Sequence, residues 1–352
     1  MASTIRETIT LQDFIRQMPK VELHVHLEGS VQPETLLTLA RRNGVRLPAD
    51  TVEGIRTWYT FTDFPHFIQV YFAICECIRT PEDVELITRE FLAGQAAQNI
   101  RYSEVTYTPY THYTQAGLSG AEQIAAINRA RAWAEAELGV TMRLVLDISR
   151  DVTPEEGLIT AEWAAAHQHD GVVALGLGGP EVGNPPEKFE AAFALARAHG
   201  LASVPHAGEV AGPESIWGAL NTLHADRIGH GVRCLEDPAL VGLLRDRQIP
   251  LEVCPTSNVC LKVVPSFGEH MLPRLLAEGL FITLNSDDPP MFNTTLTREY
   301  EQAAQTFGLD AQALERLVMN GVTAALLPED EKTRLAETFR ANFARLRARR
   351  NQ

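Results

Sequence analysis

The sequence predicts an α/β protein, a (β/α)8 TIM barrel with a helical insertion after strand 1 and extra C-terminal helices. Two observations lead there. Short apolar runs of strand length alternate with helical patterns eight times along the chain. The residues best suited to chemistry fall at the C-terminal ends of the first, fifth, sixth and eighth runs. In a closed barrel those ends converge on one mouth, whereas in an open doubly wound sheet the first and last strands can lie far apart.

The eight runs are Val21 to Leu27, Tyr102 to Thr108, Met142 to Ile148, Val172 to Leu177, Leu201 to Pro205, Arg227 to Gly229, Ile249 to Val253 and Phe281 to Leu284. They are apolar on both faces, as strands covered by helices must be. Helical patterns fill Ala121 to Leu138, Pro154 to His169, Pro186 to His199 and Pro238 to Arg247. About 75 residues separate the first two strands, including an aromatic-rich helical stretch from Trp58 to Ile78. Its Trp58, Tyr59, Phe61, Phe64, Phe67, Tyr71 and Phe72 are expected to form a lid, either packing on the barrel or lining a substrate pocket. After the eighth strand, Leu296 to Phe307, Ala311 to Met319 and Glu329 to Arg347 read as helices. No repeat, linker or boundary interrupts the pattern, so residues 1–352 read as a single domain.

With 31 Lys and Arg against 45 Asp and Glu, the net charge is -14, and no basic stripe offers a nucleic-acid surface. Small polar or uncharged ligands remain. The five cysteines, Cys75, Cys77, Cys234, Cys254 and Cys260, follow no disulfide or Cys-zinc spacing, which suits a reducing compartment. No apolar run approaches the roughly 20 residues needed to span a membrane. Met1 to Thr10 lacks an apolar signal-peptide core. A cytoplasmic protein without membrane association is the expectation, and oligomeric state leaves no trace in the sequence.

Asp287 and Asp288, at the exit of the eighth strand, are two adjacent carboxylates beside an apolar run, which is costly unless a cation or substrate engages them. Asp before Pro is also ordinary turn material. His24 and His26 are two apart on the first strand, so both imidazoles point to one side while Leu23, Val25 and Leu27 take the other. A polar strand face is the alternative to a metal site. His206 offers a third nitrogen, and with Asp287 the set becomes three histidines and one aspartate around a cation. Such a set suits catalytic zinc, and iron or manganese fits the ligand types too.

Glu209, three residues past His206, can protonate a ring nitrogen, or serve as an N-cap or surface carboxylate before the helix near Pro213. His230, between Gly229 and Gly231, can hydrogen-bond an attacking hydroxide, or be a satisfied core histidine. Asp288 takes the second carboxylate role, aligning the water or the exocyclic amine. Backbone amides at Gly179, in Gly176 to Glu181, suit a heteroaromatic acceptor nitrogen rather than a phosphate. Ser103 and Glu104 read as strand-end polar groups, and Ser257 and Asn258 as a turn. His66, His112, His167, His169, His199, His224 and His270 are expected mostly at the surface.

Four ordered motifs, Pro-Lys-Val-Glu-Leu-His-Val-His-Leu-Glu-Gly from Pro19, His-Ala-Gly-Glu from His206, Gly-His-Gly from Gly229 and Ser-Asp-Asp-Pro from Ser286, resemble the adenosine deaminase family of metal-dependent barrel hydrolases. The resemblance runs from about Met18 to the C-terminal helices. It implies one Zn2+ per subunit held by His24, His26, His206 and Asp287, and hydrolysis of the exocyclic amine of a 6-aminopurine with release of ammonia. It further implies that Glu209 protonates purine N1, that His230 and Asp288 orient the hydroxide, and that Gly179 contacts N3. Glu28 occupies the position associated with ribose recognition, where animal enzymes commonly have aspartate. The Gly178-Gly179 pair resembles the nucleoside enzymes, while Glu181 to Pro186 and Asp287 to Phe292 resemble the bacterial adenine and aminodeoxyfutalosine branches. Adenosine or 2'-deoxyadenosine is the first expectation for substrate, 6-aminodeoxyfutalosine the second and adenine the third. A barrel hydrolase of amides, lactones or phosphoesters would more often show a bridging lysine after the fourth strand, absent from Gly176 to Glu181. A non-catalytic binding protein should have lost Glu209 or a ligand.

Overall fold

Eight parallel strands follow one another in sequence order around one sheet: β1 (Lys20–His26), β2 (Ile100–Tyr107), β3 (Thr141–Ser149), β4 (Val172–Gly178), β5 (Ala202–Ala207), β6 (Ile228–His230), β7 (Leu251–Val253) and β8 (Ile282–Leu284). The computed structural model describes residues 8–350, so most of the N-terminal stretch read for a signal peptide lies outside the described residues. The expected (β/α)8 barrel, with its insertion after β1 and added C-terminal helices, is the observed architecture. No helix among the described residues is long and apolar enough to cross a membrane.

Closure of the ring is partly the work of residues beyond β8. Val25 bridges Asp287 in parallel, with the Asp287 amide donating to His24 O (3.1 Å) and the His26 amide to Asp287 O (2.9 Å). Below that, side chains replace backbone: Leu23 N donates to Asn285 Oδ1 (2.9 Å), and Ser286 N to Glu22 Oε1 (3.2 Å). The seam that completes the barrel therefore also fixes the first aspartate against the histidine strand. Outside it, helix Ala311–Ala324 packs on both β8 and β1.

Val145, Ala174 and Val204 meet inside the ring and form an apolar layer. Two larger cores lie between strands and helices, one around β1–β4 and the insertion, the other around β5–β8 and the C-terminal helices. Each fully buried Leu, Ile or Phe in them contributes about 1.5–3 kcal/mol relative to exposure. Phe339, Phe343 and Leu346 pin the C-terminal helix Glu329–Arg350, with Phe343 stacked on Phe14 at 6.4 Å.

Several boundaries move. β5 runs on to Ala207, so His206 is within it, and β6 begins one residue later than expected. The aromatic stretch is two helices, Val52–Trp58 and Phe64–Cys75, because Asp63 caps the second through the His66 amide and Pro65 follows in its first turn. Pro154–Ala166 gives way to a 3-10 turn, and the Pro186 helix begins as one. Ser257 and Asn258 lie buried in a short helix, Pro255–Cys260, rather than in a turn after β7.

Candidate active site

His24, His26, His206, His230 and Asp287 converge at the mouth. His26 Nε2 lies 3.1 Å from His206 Nε2 and 3.3 Å from Asp287 Oδ1, and His24 Nε2 lies 3.4 Å from the same oxygen. His230 Nε2 is 3.8 Å from Asp287 Oδ2 and 3.7 Å from Glu209 Oε1. Possible ligand atoms of His24, His206, His230 and Asp287 lie within 4.8 Å of one another, as do those of His26, Asp287 and Asp288. Both His230 (φ 59°) and Asp287 (φ 65°) hold left-handed backbone, a sparsely used conformation that turns each side chain into the mouth.

The donor set fits a single metal ion. Two imidazole nitrogens face each other, and His24 Nε2, Glu209 Oε1 and Asp288 Oδ1 are buried without hydrogen-bond partners among the described residues. Such orphans are expensive unless a ligand completes them. Burial, reinforced by neighbouring imidazoles, holds His206 well below its ordinary pKa, and burial lowers His26 and takes His230 to about 3. The neutral ring is the form that ligates a cation. Burial disfavours the charged ring of His24, but the adjoining Asp287 and Glu252 carboxylates outweigh it and push its pKa up to about 10. Glu252 Oε2 sits 2.9 Å from His24 Nδ1, and the Arg227 guanidinium joins Glu252 to Glu104 at 2.6 Å each. Glu104 is thus part of a buried ion network rather than a strand-end polar group.

Glu209 stands on a loop that Glu181 ties down. The Glu181 carboxylate accepts the amides of Gly208 (2.5 Å), Glu209 (3.2 Å), Val210 (2.8 Å) and Ala211 (2.8 Å). Burial, then the Asp287 and Glu181 charges, raise the Glu209 carboxyl well above its usual range. Asp288 is raised likewise by burial and by Asp287. It approaches Gly29 so closely that a Cβ there would lie 1.6 Å from Asp288 Oδ1, so any side chain at 29 displaces it.

A pocket of about 560 Å³ opens over this cluster. Phe64, Phe67, Ile68, Tyr71 and Phe72, one face of the insertion helix, form its outer wall, and Gly179, Ser149, Asp147, Thr108 and Thr111 stand on its β2–β4 side. Of the other lid aromatics, Tyr59 and Phe61 pack into the core. Glu28 is not among the lining residues: it is fully buried, accepting Thr108 N (2.9 Å) and Tyr71 Oη (3.2 Å) and facing His112 Nε2 (3.2 Å). His112 and His270, from a group of histidines expected mostly at the surface, are buried, the latter with Nε2 3.0 Å from Asn258 Oδ1. Sequence reading missed Glu181, Glu252 and Arg227 because their partners are distant in the chain and share no spacing with them, and Asp147 because only the pairing of β3 with β4 sets it against Gly176 and Gly178.

A family model described as Adenosine deaminase matches residues 19–342. The chain belongs to the adenosine deaminase family. It is 44% identical over 330 residues, 93% of this chain and 85% of the relative, to an aminodeoxyfutalosine deaminase of Streptomyces coelicolor. It is 39% identical over 323 residues, 92% of this chain and 96% of the relative, to an adenine deaminase of Chlorobium phaeobacteroides. Among solved structures, an adenine deaminase from Arthrobacter aurescens superposes with TM-score 0.88 at 34% identity, covering 92% of this chain and 98% of that one. An amidohydrolase from Burkholderia ambifaria with bound Zn gives TM-score 0.88 at 28% identity, covering 99% and 97%. The chain is an enzyme, a deaminase acting on 6-aminopurine compounds.

Proposed function

We propose that this chain is a zinc-dependent 6-aminodeoxyfutalosine deaminase, hydrolysing the 6-amino group of a purine nucleoside that carries a large 5' substituent, in a single catalytic domain. The observation that carries this reading is 44% identity to two aminodeoxyfutalosine deaminases across 93% of the chain, against 38–41% for the adenine deaminases. Adenosine and 2'-deoxyadenosine, the first expectation from sequence, therefore move behind the aminodeoxyfutalosine and adenine alternatives. Adenine is the second reading, supported by the matching adenine deaminases. Five free thiols, four of them buried, suit a reducing cytoplasm.

His24, His26, His206 and Asp287 are the proposed ligands, with bound zinc supplying a Lewis acid that lowers the pKa of water toward neutrality. Glu209, kept protonated by burial and neighbouring carboxylates, donates its proton to purine N1 and makes C6 electrophilic. His230, neutral because it is buried, accepts a hydrogen bond from the attacking water and can take its proton. Asp288 aligns that water or the departing amine. The Gly179 amide donates to N3, and the aromatic wall excludes bulk water.

Comparing kcat/KM for 6-aminodeoxyfutalosine, adenosine, 2'-deoxyadenosine and adenine on zinc-loaded protein tests the reading. Highest efficiency on 6-aminodeoxyfutalosine is expected, and a preference for adenine over every nucleoside refutes it.

A further inference from the structure

Asp147 has no task in the chemistry above, yet it stands in the pocket wall. It is 3% exposed, and its Oδ1 has no hydrogen-bond partner among the described residues. The nearby Arg150 guanidinium makes no hydrogen bond to it: its two terminal nitrogens donate to Asn184 O and to His206 O (2.6 Å), and its Nε has no partner among the described residues. Space for the carboxyl is built in. Asp147 pairs in register with Gly176, and a Cβ at Gly176 would lie 2.7 Å from Oδ1, one at Gly178 2.8 Å from Oδ2. A carboxyl buried without a partner is costly, and here it faces the cavity in which substrate must sit.

The position of this group relative to the reacting carbon says what it meets. His206, His230 and Asp287 come from β5, β6 and the exit of β8, whereas β3 and β4 stand across the ring from β7 and β8. With C6 at the histidine and aspartate cluster, N3 lies para to it, and N9 joins the ring at the carbon next to N3. The N3–N9 edge then points toward Gly179, Ser149 and Asp147. A backbone amide suits the N3 acceptor, and a carboxyl oxygen suits a donor. We propose that Asp147 is a specificity-determining residue that accepts a hydrogen bond from a donor on the N9 side of the substrate: a sugar hydroxyl in a nucleoside, or the N9–H itself in a free base. The inference rests on the deaminase reading for the placement of C6 and holds for either substrate class.

Steady-state kinetics on zinc-loaded wild type, Asp147→Ala and Asp147→Asn test it, using adenine, adenosine and 6-aminodeoxyfutalosine as substrates and 9-methyladenine, which lacks both donors, as a competitive inhibitor. Asp147→Ala is expected to lower kcat/KM about tenfold on the substrates that carry the donor, the scale of leaving one buried hydrogen-bonding group without its partner. Asp147→Asn, which keeps an acceptor oxygen, is expected to retain most of it, and the inhibition constant of 9-methyladenine to stay unchanged. A loss confined to adenine assigns the N9–H, and a loss confined to the nucleosides assigns a sugar hydroxyl. Equal losses on all substrates with weakened 9-methyladenine binding, or no loss on any, overturn the proposal. Zinc content and thermal midpoint accompany each variant. If Asp147→Ala does not fold, Gly176→Ala carries the same test, since its Cβ displaces the carboxyl without removing it. The wild-type ranking of substrates tests the proposed function, while the variant-to-wild-type ratio tests Asp147, so either can fail alone.

Discussion

β1 to β4 each run for seven to nine residues, whereas β6, β7 and β8 each stop after three. The long half has extended ladders, such as Tyr102↔Thr141 through Tyr107↔Leu146, while β5 and β6 share only His206↔Gly229 and Ala207↔His230. Short strands release the chain early, and at their ends His230 and Asp287 adopt left-handed backbone that aims their side chains inward. Strain at such residues costs of order 1–3 kcal/mol each and persists only where the surroundings over-determine it. Here the surroundings are the β1–β8 seam and the packed helices behind it. The long half keeps extended ladders, with register shifts at Lys20/Val21, Glu22/Val25 and Leu144/Val145, and contributes the wall opposite, with Thr108, Asp147, Ser149 and Gly179. One half is shaped for reaction, the other for shape and stability, and β1 belongs to both.

That division can be broken by experiment. Asp287→Ala, in the short half, is expected to abolish zinc retention and bring deamination below detection, with metal per chain measured by elemental analysis. Removing zinc from the wild type with a chelator should reproduce the loss and re-addition restore it. Glu209→Gln should keep zinc but lower kcat by about 10²–10⁴-fold, the range for a lost general acid. Wild-type turnover of every 6-aminopurine by that variant would remove Glu209 from its role.

Glu181 is the sharpest case, because it leaves β4 in the long half and anchors the Glu209 loop in the short half. Glu181→Ala leaves four amides without their acceptor, so kcat should fall about 10–100-fold with little change in KM. An unchanged kcat would mean the two halves are not coupled there. Glu252→Gln, behind His24, should weaken zinc binding by about 10–100-fold in a competition titration, as lost partners of metal-bound histidines do.

The smallest effect belongs to the floor. Lys20, bonded to Met18 O (3.1 Å) and Gln98 O (2.9 Å), has its pKa pushed down to about 7 by burial from an ordinary 10.5. Between those values the unfolded chain binds more protons than the folded one at this site, so its contribution makes stability rise with pH across that window. Lys20→Met should remove that slope without altering kcat, as urea unfolding at pH 7 and pH 9 would show. A loss of activity would tie the floor to the chemistry and blur the division.

The strand count, the parity of His24 and His26, and the proximity of His206, His230 and Asp287 were legible in the sequence. Alternation of apolar runs reports burial directly, and the barrel rule then places strand ends together. Less legible were the short strands of the second half, where β6 and β7 offer three residues each to a periodicity that needs more. Surface expectations for His112 and His270, and the turn at Ser257 and Asn258, failed because burial of a polar side chain depends on a partner far away in sequence. The sugar contact expected of Glu28 meets a carboxylate already engaged by Thr108, Tyr71 and His112.

By itself, then, the sequence determined the barrel, the convergent histidine and aspartate set and the 6-aminopurine class, because each follows from local periodicity or from short motifs. Tertiary structure alone decided which carboxylates are free and which are spent. Glu28, Glu181 and Glu252 are consumed by protein donors, while Asp147 and Asp288 each keep an oxygen without a partner among the described residues. A carboxylate's availability is a property of what surrounds it, and those surroundings are assembled only when strands distant in the chain close into one ring.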